Sequence, residues 1–171
     1  METLQSVLVA WDGKLTKPLE EVFAVHRADP DFLGSLIDLS ENEACERAST
    51  WLLKHHFDTK GEPLSFSQTR KHLASLPHVR HWEAKLHILQ YLDQLEVPAE
   101  AETTISDFIT EALTSQNKLV RAWAYYGLAT LAYRFPKRKK AALDFLTSAQ
   151  EKEIAGSIKV RIRKALKKLE V

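Results

Sequence analysis

The sequence predicts an all-α protein built from stacked helical hairpins, on three observations. Helix-start signals recur along the chain with nothing strand-like between them. Apolar residues keep helical spacing: Ile105, Phe108, Ile109, Ala112 and Leu113 fall at i, i+3, i+4, i+7 and i+8, and Ile158, Ile162, Ala165, Leu166 and Leu169 form a similar stripe near the end. A short pattern also returns: Val79, Arg80 and Trp82 match Val120, Arg121 and Trp123 at an offset of 41, and Val160 and Arg161 follow at 40. With five glycines and six prolines in 171 residues, turns are few and helices long. The length suits one domain, residues 1–171.

The implied helices are 2–11, 18–28, 30–39, 41–57, 66–76, 78–96, 99–115, 118–134, 137–150 and 157–169. Pro18 and Pro98 suit a first turn, where no amide proton is needed. Asp29 before Pro30 reads as an N-cap and first helical residue. Ser40 with Glu43, and Ser65 with Gln68, fit a capping box, in which hydroxyl and carboxyl or amide each satisfy an orphan amide. Asn117 and Ser157 are further cap candidates, and residues 58–63 (DTKGEP) form a connecting turn.

Residues 120–135 (VRAWAYYGLATLAYRF) are apolar on nearly every side. Arg121 and Arg134 leave only twelve uncharged residues between them, against the roughly 20 a membrane span needs, so this is a buried helix and no membrane role is expected. Hairpins that cannot bury their own apolar surface do so by stacking, and the inner helix of a middle unit is then covered from several directions. Gly127 in its middle predicts close approach of another helix.

Val-Arg near the start of a second helix, Asn117 just before it, Ala124 a turn later and Leu128 beyond together resemble HEAT-type (ARM/HEAT-like) helical repeats over about residues 29–170, some four repeats. The second repeat departs from the pattern, with Pro77 and His78 in place of the capping Asn and Glu83 where a small residue is expected. The resemblance implies an α-α superhelix, a right-handed solenoid of about four hairpins plus N-terminal helices, with inner helices lining a concave binding surface.

Net charge is +1, yet residues 1–117 balance at −9 and residues 118–171 at +10. Such polarity suggests an acidic partner or nucleic acid at the basic end. Lys137, Arg138, Lys139 and Lys140 lie between two helices, and the last helix carries Lys159, Arg161, Arg163, Lys164, Lys167 and Lys168 opposite its apolar stripe. Solvation, capping of a terminal repeat and the helix dipole are the competing explanations. Arg80, Arg121 and Arg161, one repeat apart, suggest a stripe pairing with neighbouring-repeat carbonyls, Asn117 or carboxylates such as Asp107, or with a bound phosphate or carboxylate. Trp82 and Trp123 are expected in the core, with paired groove plates as the alternative.

His78 and His81 stand at i, i+3, but no ligand spacing completes a tetrahedral site, so no metal and no cofactor is expected. Cys45, on an apolar helix face, reads as an inert thiol. A single cysteine and no signal core suggest a reducing, bacterial-type cytoplasm. No carboxylate pair, phosphate loop or Ser-His-Asp pattern supports an enzyme. The expectation is a non-catalytic interaction or scaffold module binding an acidic protein segment through its concave face or basic C-terminal end. Nucleic-acid binding, as in HEAT-like alkylpurine DNA glycosylases with Trp, Asp and Arg in a groove, is the alternative, and a tetrapyrrole lyase or chaperone a third reading.

Overall fold

The computed structural model describes residues 3–170, and among them ten α-helices and four 3₁₀ turns account for all regular structure. The helices are α1 (Leu4–Ala10), α2 (Lys17–His26), α3 (Phe32–Ser40), α4 (Glu46–Asp58), α5 (Phe66–Ala74), α6 (Trp82–Tyr91), α7 (Glu102–Leu113), α8 (Lys118–Arg134), α9 (Lys139–Lys152) and α10 (Gly156–Leu169). Position 2, the first expected in α1, lies outside the described residues. No described helix is long and apolar enough to cross a membrane.

Several helix starts follow the sequence signals. The Ser65–Gln68 capping box is complete, and Asn117 Oδ1 accepts from the amides of Leu119 at 2.9 Å and Val120 at 3.3 Å. Pro18 lies in the first turn of α2. Three expectations are corrected. Asp29 folds a turn of its own, its carboxylate accepting from the Asp31 amide at 2.9 Å and its carbonyl from Phe32, so α3 begins two residues after Pro30. Ser40 ends α3, donating to the Ile37 carbonyl at 2.7 Å, and Asn42 turns the chain into α4, so no box forms with Glu43. Ser157 lies inside the first turn of α10, whose cap position is Ala155. The span 78–96 is broken as well: 3₁₀ turns at Leu76–His78 and Leu92–Gln94 flank α6.

Packing arranges the helices in rows. α4 packs on α6, α6 on α8 and α8 on α10, while α3 contacts α5 and α5 contacts α7 alongside. Hairpin partners α3 and α4, α7 and α8, and α9 and α10 join the rows, and α1 and α2 both rest on α4. The helices of the longer row begin at 46, 82, 118 and 156, intervals of 36, 36 and 38. The 41-residue offset therefore does not mark structural equivalents. Val120 is fully buried in α8, Val79 ends a 3₁₀ turn half-buried, and Val160 is 42% exposed. In the structural register Trp51, His87, Trp123 and Arg161 occupy the sixth position of successive row helices.

The all-round apolarity of α8 now has its cause. Val120, Ala124 and Leu131 join the core formed with the helices before it, whereas Ala122, Tyr125, Ala129 and Ala132 pack on Leu146, Ile158, Ile162, Ala165 and Leu169 from the helices after it. Gly127 permits a close approach: a Cβ there would lie 3.2 Å from Leu89 Cδ2 and 3.4 Å from Ile109 Cγ1.

Candidate functional site

An open cleft of about 600 Å³ lies across α6, α8 and α10. Its lining contains Gln90 of α6 and Asp93 and Gln94 of the 3₁₀ turn that follows. Trp123 and Tyr126 come from α8, and Arg161, Lys164, Lys167 and Lys168 from α10. Helical spacing explains the grouping. Trp123 and Tyr126 stand three apart on α8, and Arg161, Lys164 and Lys168 at i, i+3 and i+7 share one face of α10, flanking the buried stripe of Ile158, Ile162, Ala165 and Leu169.

Cations cover the aromatic faces of this cleft. The Arg161 guanidinium carbon lies 3.7 Å from the Trp123 ring centroid and 6.0 Å from that of Tyr126. Lys168 Nζ is 5.3 Å from the Tyr126 centroid and 5.4 Å from that of Tyr133. Trp123 and Tyr126 meet edge to face at 5.8 Å. Attraction of each charge to a ring quadrupole holds these flexible side chains in place. Burial lowers the Arg161 pKa below the ordinary arginine value, with the neighbouring Tyr126 acting the other way. Asp93 supplies the one carboxylate in the lining. Its backbone oxygen accepts from Arg134 at 3.0 Å, and its Oδ2 accepts from the Tyr126 hydroxyl at 3.4 Å and lies 4.0 Å from Lys168.

Elsewhere the expected cations are mostly neutralised. Arg121 donates to both oxygens of Glu153, at 2.8 and 3.3 Å, and to the Ser115 carbonyl at 3.0 Å, while the Tyr125 hydroxyl donates to the same Glu153. The Arg121 hydrogen bond is the main reason the Glu153 carboxyl titrates below its ordinary range. Lys137 and Arg138 share Glu102, Arg138 also reaches Ser106 at 3.0 Å, and Lys140 pairs with Asp144 at 2.9 Å. Lys139 is half-buried at the start of α9. Arg80 precedes α6 and is exposed; its amide and that of His81 donate to Glu46 Oε1 at 2.7 and 2.9 Å. Arg163 is exposed outside the cleft lining.

Two readings are thereby corrected. Arg80, Arg121 and Arg161 form no continuous stripe, because their offsets of 41 and 40 exceed the helix intervals of 36 and 38, so Arg80 falls before α6 while Arg121 and Arg161 are the fourth and sixth residues of α8 and α10. Arg121 does pair with a carboxylate and a carbonyl, those of Glu153 and Ser115, but neither Asn117, whose oxygen caps α8, nor Asp107 is a partner of these arginines. Trp82 is not a core residue: it opens α6, is 42% exposed and stacks on His81. Of the expected site residues, the cleft unites Trp123 and Arg161. Tyr126 and Asp93 were missed. Tyr126 carried a signal in its three-residue spacing from Trp123, whereas Asp93 had none, because a turn beyond the end of α6 brings it in.

His72, His87 and the thiol are buried in the core. His72 Nε2 contacts the Tyr91 hydroxyl at 2.7 Å, and His87 Nδ1 contacts Thr50 Oγ1 at 3.0 Å. Burial lowers their pKa values to about 4 and about 3, respectively, with Lys54 and Arg47 adding to the effect at His87. Cys45 is buried, which pushes its thiol pKa up and suits an unreactive group. Compared with protein-family models, curated proteins and solved structures, the chain matches none of them at a significant level.

Proposed function

We propose that the chain is a right-handed HEAT-like α-α superhelix working as a non-catalytic interaction module of the cytoplasm, and that it binds an acidic protein segment along the face of α6, α8 and α10. The near-constant helix interval and the row packing support the superhelical reading. One observation carries the function: Arg161, Lys164 and Lys167 have no carboxylate within ion-pair distance among the described residues, although Arg47, Arg121 and Arg138 each have one. A partly desolvated arginine without a counter-ion is costly in isolation and favours an anionic ligand. Titration with a glutamate-rich peptide, followed by isothermal calorimetry, tests the reading. Binding that falls at least tenfold in Arg161→Ala is expected, and binding insensitive to that change would refute it.

Nucleic-acid binding is the second reading, favoured by the gathering of Asp93, Trp123 and Arg161 in one cleft. Against it, the Trp123 and Tyr126 rings already carry the protein's own cations, which leaves less π surface for a stacked base. A DNA shift that weakens steeply with salt above about 50 mM would favour this reading over the first.

A further inference from the structure

The acidic-partner reading leaves open how the cleft remains stable when empty and what shape of segment it takes. Both questions turn on Asp93. The carboxylate that closes Arg121 binds closely: Glu153 lies 2.8 Å from Arg121 and 2.9 Å from Tyr125. The Asp93 carboxylate has looser partners, 3.4 Å from the Tyr126 hydroxyl and 4.0 Å from Lys168. The Arg134 bond to its backbone oxygen nevertheless keeps it at the cleft. It is therefore fixed in position but weakly held, and partly offsets the α10 cations without saturating any of them.

We infer that Asp93 is an internal counter-ion standing in for a ligand carboxylate, and that the ligand is an extended peptide segment with acidic side chains at alternate positions. The inference rests on the acidic-partner reading. Arg161 lies over Trp123, and Lys168 over Tyr126 and Tyr133, so the cleft presents N–H edges to a ligand more than free rings. A guanidinium edge fits the two oxygens of a carboxylate. From Arg161 to Lys168, α10 rises about 10 Å. Acidic side chains two residues apart in an extended chain stand roughly 7 Å apart on one side, within that span. As the segment binds, Lys168 turns from Asp93 to the ligand, and the Asp93 charge opposes the incoming carboxylates.

The test uses the full chain and a peptide with glutamate at every second position, with a glutamine version and a single-stranded oligonucleotide of equal charge as further probes. Asp93→Asn is expected to tighten binding of the glutamate peptide at least about threefold, while Arg161→Ala weakens it tenfold or more. Thermal melts of each variant check the fold, and Lys164→Ala, an exposed change, repeats the loss arm if Arg161→Ala unfolds. If the wild type binds the peptide and Asp93→Asn binds it equally or less tightly, the counter-ion role is overturned and the acidic-partner reading stands. If wild type and Asp93→Asn both ignore the peptide, or bind the oligonucleotide in preference, both fall.

Discussion

Single residues in this protein are decided by their partners. Arg121 and Arg161 carry the same charge, yet Arg121 is closed by Glu153 and Ser115 whereas Arg161 has an indole face and, among the described residues, no carboxylate partner. The buried histidines give a second residue-scale consequence. His72 and His87 have folded pKa values of about 4 and about 3, below the value of about 6.5 for an unfolded histidine. Between these limits the unfolded chain binds more protons, so their contribution is complete above about pH 6.5 and declines as pH falls toward the folded values. Denaturant unfolding should show a loss approaching about 1.4 kcal/mol per pH unit for each histidine in the steep part of that window. Stability that is flat from pH 7 to pH 5 would contradict the buried neutral state.

At the scale of elements, α8 is the most exacting because it belongs to two cores. A Cβ at Gly127 meets Leu89 at 3.2 Å, the end of a side chain that can shift, so Gly127→Ala should be nearly neutral, the helix-propensity gain of about 1 kcal/mol offsetting the crowding. Gly127→Leu should instead destabilise by about 1–3 kcal/mol or more through overpacking between α6 and α7. A melting temperature unchanged in the leucine variant would remove Gly127 from the packing account. Asn117→Ala should cost about 1 kcal/mol in denaturant unfolding, since two amides at the start of α8 lose their acceptor. The starts at Ser65 and Asn117 were legible because a cap is local chemistry. Ser40 and Asp29 misled for the same reason: a hydroxyl or carboxylate can bond backward or within its own turn as readily as forward, and neighbouring packing chooses.

Over the whole molecule, an acidic first part and a basic last part meet in a chain of net charge +1. The basic surplus is unevenly spent. Lys137, Arg138 and Lys140 already have carboxylate partners, while Arg161, Lys164 and Lys167 beside the cleft have none among the described residues. Replacing residues 137–140 by glutamate should therefore weaken capture of an acidic peptide less than the pair Arg161→Ala and Lys164→Ala does. Equal losses, measured side by side at one salt concentration, would move the binding surface to the start of α9. An aromatic and cationic cleft could be suspected from Trp123, Arg161 and the lysines of the last helix, but not located. Its lining needs the helix intervals of 36 and 38, whereas the repeated letters pointed to 41 and 40.

The amino-acid order alone determined that the chain is helical, roughly where its helices lie and which faces are apolar, because the 3.6-residue period and end-capping act over one or two turns. Tertiary structure alone decided that Trp82 faces outward while Trp123 supports Arg161, that Lys137 and Arg138 share Glu102, and that Asp93 borders the cleft. These pairings join residues some thirty to forty positions apart, where a shift of a few residues in helix register changes every neighbour.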